Sequence, residues 1–283
     1  MDDRKLSLKH LSNFGDHLRR EEKSTATVEK YLRDVSSFFY YVGEKMVTKE
    51  IAVAYKKHLE EKKYAVRSIN SMLTSMNQLF DYLGWCDCKV KCLRLQRETY
   101  CSEERELTKE EYKRLLKATD KNEQLSMLLQ TICSTGIRVS ELKFFTVEAI
   151  KHGEVIVRSK NKTRTVLVPK ALIKSLTGYI RRKNIKSGAI FVTKSGKPLD
   201  RSNIWSSMKK LCSSAKVNPS KVFPHNLRKL FARTFYGIEK DIAKLADILG
   251  HGNIETTRIY IMTTGSEHRR KIECLELVLP KIT

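Results

Sequence analysis

The sequence predicts a mainly helical chain with one small β-sheet, an α+β protein of two domains. Three observations lead there. Apolar residues recur at helical spacing through the first hundred residues, the period switches to alternation near residue 155, and an aperiodic stretch separates the two parts. At 283 residues the chain is long enough for two ordinary domains with cores of their own.

The first domain is expected over 1–90 as a helical unit. Val28, Leu32, Val35, Phe38, Phe39 and Val42 share one helical face behind a Ser24, Thr25 and Thr27 entry. Ile69, Met72, Leu73, Met76, Leu79, Phe80 and Leu83 form a second stripe, stopped by Gly84. A third helix is expected around Ile51 to Leu59. Such stripes are core far more often than binding surface. Lys30, Arg33, Arg67 and Gln78 lie on the polar faces, where either a phosphate backbone or water would suit them.

A linker is expected over 91–106, where charges and cysteines mix without a sustained period. Cys86, Cys88, Cys92 and Cys101 have a spacing that is unusual for zinc and no nearby histidine, so ordinary thiols are expected. Seven scattered cysteines, an odd number, fit reduced thiols better than a disulfide framework.

The second domain is expected over 107–283. Thr108 and Glu111 form a capping box, with Tyr112, Leu115 and Leu116 following at helical spacing. A buried helix through Met127–Cys133 ends near Gly136, and a short helix follows over Val139–Phe145. Val155-Ile-Val157 and Val166-Leu-Val168 read as two strands around a basic turn from Ser159 to Thr165. Helices are expected again over 169–183, 201–215, 225–236 and 241–249, the last closed by Gly250.

Charge narrows the class of partner. The chain has 55 Lys+Arg against 32 Asp+Glu, a formal net charge of +23. Residues 1–98 hold 19 basic and 14 acidic residues, so +18 of that charge lies in the remainder. No carboxylate occurs between Glu154 and Asp200, while twelve Lys and Arg do. A field of this kind attracts polyanions, nucleic acid above all. No run reaches the roughly 18–20 apolar residues of a membrane span. The start lacks the basic-then-apolar pattern of a secretory signal, and a cytoplasmic protein is expected.

Several polar residues stand where a plain core would not place them. Arg138 follows Gly136 within TGIRVSEL. His225 and Arg228 share one helical face in PHNLRKLFA. His251 follows Gly250 in LGHGNIETTRIY, and Tyr260 lies nine residues later, expected beyond a loop. Lys160 and Lys162 occupy the hairpin tip. Taken singly, each has an ordinary reading: a capping arginine, a helix-terminal histidine, an interfacial tyrosine, a solvated turn. Their joint occurrence in one basic domain is what selects a chemistry.

TGIRVSEL, HNLRKLFA and LGHGNIETTRIY resemble the three signature segments of the tyrosine recombinase family, also called phage-type integrases. The resemblance spans nearly all of 104–283, and the leading helices resemble, less specifically, the family's core-binding domain. It implies a site-specific recombinase that cuts and rejoins double-stranded DNA through a 3′-phosphotyrosyl intermediate and a Holliday junction. Tyr260 would be the nucleophile, Arg138 and Arg228 the phosphate clamp, and His251 a further hydrogen bond to the same phosphate. His225 would help deprotonate Tyr260, and Lys160 would protonate the leaving oxygen, with Lys162 as the other candidate. Two positions depart from the family pattern: Ser159 precedes the lysine where a glycine is usual, and Lys229 stands where a histidine is usual.

No metal or other cofactor is implied. The partners implied are DNA and further copies of the chain in a homo-tetramer, with the tail from Glu267 to Leu279 docking on a neighbour through Ile272, Leu275 and Leu279. An accessory DNA-bending protein or a partner recombinase would fit beside them. The absence of room for an arm-binding domain points to a two-domain, Xer-like enzyme serving integration, excision, inversion or dimer resolution. The alternatives are a type IB-like topoisomerase, or a non-catalytic DNA-binding regulator on the same fold.

Overall fold

The chain divides into two units, Met1–Arg97 and Glu98–Thr283. Residues 4–95, 100–120, 122–159, 162–193 and 195–275 are described by the structure, a computed structural model.

The first unit holds four helices, α1 (Leu8–Arg20), α2 (Thr25–Val42), α3 (Lys49–Glu61) and α4 (Val66–Leu83). Ser24 caps α2 by accepting from the Thr27 amide, and Gly84 closes α4 in the left-handed region. The expected stripes face inward: Val28, Val35, Phe38, Leu73, Met76 and Phe80 are buried together with Phe14 and Leu18 of α1. Lys30 is half-buried and its ammonium is committed within the unit rather than free for a phosphate. Its ammonium reaches Asp34, the Ser71 carbonyl and the Ser75 hydroxyl, each at 2.8 Å.

Much of the segment after α4 is fixed rather than free. The Asn77 side chain both donates to the Val90 carbonyl and accepts from the Val90 amide, and Asn70 does the same for Leu93. The division between the units falls at 97–98, after this pinned stretch.

The second unit is mostly helical: α5 (Lys109–Lys117), α6 (Glu123–Thr135), α7 (Val147–His152), α8 (Lys170–Arg182), α9 (Arg201–Ala215), α10 (Pro224–Ile238), α11 (Ile242–Leu249), α12 (Ile254–Ile261) and α13 (Gly265–Glu273). The capping box of Thr108 and Glu111 opens α5. Between α6 and α7 the chain makes a 3-10 helix, Val139–Phe144.

Its sheet is one antiparallel hairpin of β1 (Glu154–Ser159) and β2 (Lys162–Leu167). Val155, Val157 and Val166 are buried while Ile156 and Leu167 are exposed, the alternation of a sheet with one face on the core. The basic turn expected over Ser159 to Thr165 is much tighter, because the ladder runs out to a Ser159–Lys162 pair.

Two short helices, α7 and α12, were not expected. Each is only one or two turns long, and capping by Thr146 and Asn253 starts them. Helix α12 corrects the expected loop before Tyr260: the tyrosine lies in a helix. The seven cysteines are unpaired.

Candidate active site

Four local structures supply the site, and two glycines make their approach close enough. Helix α6 ends at Gly136, whose φ of +65° is a left-handed stop. A Cβ at this position would lie 2.4 Å from the Phe231 ring of α10, so a side chain is excluded on two counts. Arg138 follows two residues later, at the entry to the 3-10 helix. Gly250 stops α11 in the same way, with φ +65° and a Cβ position 2.6 Å from the Arg164 side chain. His251 follows at once. Pro224 opens the first turn of α10, where a missing N–H costs nothing; His225 follows in that turn and Arg228 lies about one turn on. Helix α10 packs on both α6 and α12, so the three segments converge.

Arg228 is the deepest charge, 1 % exposed. Its guanidinium donates to the Gly136 carbonyl, to the Leu249 carbonyl at 2.6 Å and to His251 Nε2 at 2.9 Å. Its Nε is buried with no hydrogen-bond partner among the described residues. Burial first, and the charge of Arg138 second, pull its pKa down to about 10, which still leaves it charged at neutral pH. A buried cation with a spare donor is a costly arrangement that an anionic acceptor would relieve.

The tautomer of His251 follows from its partners. Arginine only donates, so Nε2 must accept, and Nδ1 therefore carries the proton and donates to Thr257 Oγ1 at 2.9 Å. The ring is neutral. Burial, followed by the charges of Arg228 and Arg138, pushes its pKa down to about 4.

Tyr260 is 7 % exposed and belongs to a small apolar cluster with Ala232, Leu245 and Leu249. Its ring stands edge-on to both histidines, with centroids 4.8 Å from His225 and 4.9 Å from His251. Its hydroxyl lies 3.3 Å from His225 Nδ1. The Arg228 guanidinium carbon is 5.9 Å from the centre of the same ring. The His225 pKa is lowered, first by desolvation of the ring and then by Lys229, Arg228, Arg201 and Arg138. A neutral His225 near pH 7 is free to accept a proton.

Arg138 is held differently. Its side chain is 41 % exposed and donates to Glu141 Oε1 at 3.0 Å and to the Gly250 carbonyl at 3.3 Å. Glu141, 2 % exposed, also accepts from Arg164 at 2.7 Å and from the Arg138 amide at 2.8 Å. Arg164 in turn donates to the Ile248 carbonyl. One buried carboxylate thus fixes two arginines and ties the hairpin to the end of α11.

Arg138, His225, Arg228, His251 and Tyr260 therefore come together in the structure. Lys160 lies outside the described residues, and of Lys162 the ladder pairing with Ser159 is described. Lys229 forms an ion pair with Glu106 at 2.9 Å. Sequence reasoning missed Glu141, Arg164 and Thr257. The spacing of Glu141 three residues after Arg138 was a usable signal for a local cap. Nothing local marks Arg164 or Thr257, whose partners are distant in the chain or depend on the unexpected α12.

Comparison with known proteins bears on this arrangement. The model of the phage integrase family matches residues 105–267, and that of the phage integrase N-terminal SAM-like domain matches residues 11–86. The chain belongs to the phage integrase family. Tyrosine recombinase XerA of Pyrococcus furiosus is 28 % identical over 98 % of this chain and 98 % of its own length. Tyrosine recombinase XerA of Thermococcus kodakarensis is 30 % identical over 93 % of each. Among solved structures, a lambda integrase(75-356) dimer bound to a COC′ core site matches with a TM-score of 0.74 at 14 % identity, covering 98 % of this chain and 99 % of that one. XerH bound to its difH substrate matches at 0.68 and 17 %, covering 95 % and 85 %. Structural likeness at these identities carries the fold, and the relatives carry the activity: this phage integrase family member is a tyrosine site-specific recombinase.

Proposed function

We propose that the chain breaks one DNA phosphodiester by attack of Tyr260 and restores a phosphodiester by the reverse step. The Tyr260 oxygen bonds to phosphorus as the bond to the 5′ oxygen breaks, leaving a 3′-phosphotyrosine. The phenol proton passes to His225 Nδ1, and the leaving 5′ oxygen takes a proton from Lys160. Arg138 and Arg228 bind the non-bridging oxygens, where planar, permanently charged donors suit the extra negative charge of the phosphorane.

His251 needs a rearrangement in this reading. Its Nε2 accepts from Arg228 in the free protein. A phosphate oxygen that takes the Arg228 donor frees His251 to move its proton to Nε2 and donate in its turn.

The observation that carries the proposal is the placement of the Tyr260 hydroxyl 3.3 Å from His225, beside a buried arginine whose Nε has no partner among the described residues. Oligomerisation belongs to the same reading. Helix α13 buries none of its residues, and Ile272 and Leu275 stay largely exposed. An amphipathic helix of this kind gains by covering its apolar side on a second copy. Four copies on two duplexes, in the cytoplasm, complete the proposal, with a bending protein or partner recombinase as an optional addition. No helix among the described residues is long and apolar enough to cross a membrane.

A suicide substrate tests it. On DNA nicked near the cleavage point, wild type traps a covalent adduct and Tyr260→Phe does not. Site-specific binding by wild type without any adduct would overturn the proposal.

A further inference from the structure

The cleft that holds Arg138, His225, Arg228 and Tyr260 has another wall, formed by α9. Arg201 and Trp205 of that helix line it, and Lys209 follows at the same spacing of four. Residues four apart share one helical face. The adjoining face of α9 carries Ile204, Met208, Leu211 and Cys212 into the core, so the orientation of the helix is fixed.

This face has an unusual makeup for a solvated one. Trp205 is 50 % exposed, a large aromatic surface left half open to solvent. One side of its ring is occupied by the Lys209 ammonium, 5.3 Å from the centroid, which also donates to the Pro219 carbonyl. Arg201 makes no ion pair among the described residues. The carboxylate next to it, Asp200, is committed to capping the helix through the Ser202 amide at 2.9 Å. An unpaired guanidinium one turn from a half-exposed indole offers two things together: a donor for phosphate and a flat apolar surface for a sugar or base.

We infer that Arg201 and Trp205 hold the nucleotide immediately beside the scissile phosphate. Arg201 takes the phosphate next to the one attacked by Tyr260, and the Trp205 ring packs on the deoxyribose between them. When the strand is cut, the same ring receives the loosened base by stacking. Both are positioning residues. They set the scissile phosphate in line with the Tyr260 hydroxyl and do not themselves act on the reacting atoms. Arg201 also adds to the positive charge that keeps the His225 ring neutral. The inference rests on the reading of Tyr260 as nucleophile.

Single-turnover adduct formation on the nicked substrate separates the two. If wild type traps no adduct, the nucleophile reading fails. With wild type active, Arg201→Gln and Trp205→Leu are expected to slow adduct formation roughly 5- to 100-fold, the range of a lost stacking or clamping contact. Trp205→Phe should recover most of the rate. Equal thermal melting of the variants and wild type shows that their folds are intact.

The deciding measurement replaces single phosphates by neutral methylphosphonates. At one of the two positions flanking the cleavage point, neutralisation should slow wild type and add nothing in Arg201→Gln. Melting unchanged and rates within twofold of wild type for both variants would overturn the inference. So would a methylphosphonate penalty that multiplies with Arg201→Gln at both flanking positions. In a Trp85→Phe background, Trp205 is the sole tryptophan, and its fluorescence should change on binding the site. An unchanged spectrum on saturation would contradict a direct contact.

Discussion

The two halves of the site hold the same side-chain type in opposite surroundings. Around Arg138 the charge is compensated: Glu141 accepts from Arg138 and Arg164, and the guanidinium keeps a solvent-facing side. Around Arg228 the hydrogen-bond acceptors are neutral: two carbonyls and the Nε2 of a neutral imidazole. Burial, with no carboxylate paired to Arg228 among the described residues, concentrates positive potential beside Tyr260. In the proposed reading, an anion arriving from solvent would meet Arg138 first and be bound hardest at Arg228. The difference teaches that position in the chain names the arginines, while their partners decide how each acts.

Replacing each arginine by alanine probes that contrast most strongly. Either change should lower adduct formation by roughly 10²–10⁴-fold, the usual cost of a lost charge stabiliser. Stability should part them. Arg228→Ala leaves the Gly136 and Leu249 carbonyls buried and unmet, at about 1–3 kcal/mol each. Arg138→Ala removes a half-exposed contact and should cost about 1 kcal/mol or less. Equal melting of the two variants would remove the distinction.

Glu141→Gln attacks the compensated half from the other side. It removes the one ion-pair partner that Arg164 has among the described residues and should cost on the order of 3 kcal/mol in denaturant unfolding. A loss below about 1 kcal/mol would mean that the pair contributes little. Gly250→Ala comes next, at about 1–3 kcal/mol, because it combines a left-handed backbone with a clash on Arg164. Gly196→Ala is its control, with φ +76° and nothing within 4 Å of the added atom. It should lose less.

Protonation tests the same contrast through pH. The His251 pKa is depressed in the folded state to about 4, against an ordinary value near 6.5. Between those values the unfolded chain binds a proton that the folded chain does not, so stability falls as pH drops from 6.5 toward 4. His251→Gln should flatten that part of the unfolding curve. The lowered pKa of His225 similarly places the acid limb of adduct formation below pH 6.5. An acid limb above it would contradict His225 as the proton acceptor.

Particular elements show how far the sequence could be read. The helical stripes of α2 and α4 were legible because one face of each had to be apolar. Arg138, His225, Arg228, His251 and Tyr260 were legible as residues of three ordered segments. Their partners were not. Arg164 is one of a dozen basic residues in a stretch without carboxylates, and only the fold tells that it turns onto Glu141. Thr257 became meaningful once α12 replaced the expected loop. Lys30, read as a surface cation, is neutralised by Asp34 one turn away. Helix α9 was foreseen as a helix, but periodicity alone does not say which cleft its polar face borders.

The central claim is that Tyr260 forms the bond to DNA, and peptide mapping of the trapped adduct tests it most directly. Trypsin cutting after Arg258 and Arg269 releases Ile259–Arg269, which contains Tyr260. The account predicts that this peptide carries the added mass of a 3′-phosphoryl nucleotide, localised to Tyr260 by fragmentation. Attachment to any other residue, or linkage through a 5′ phosphate, would contradict it.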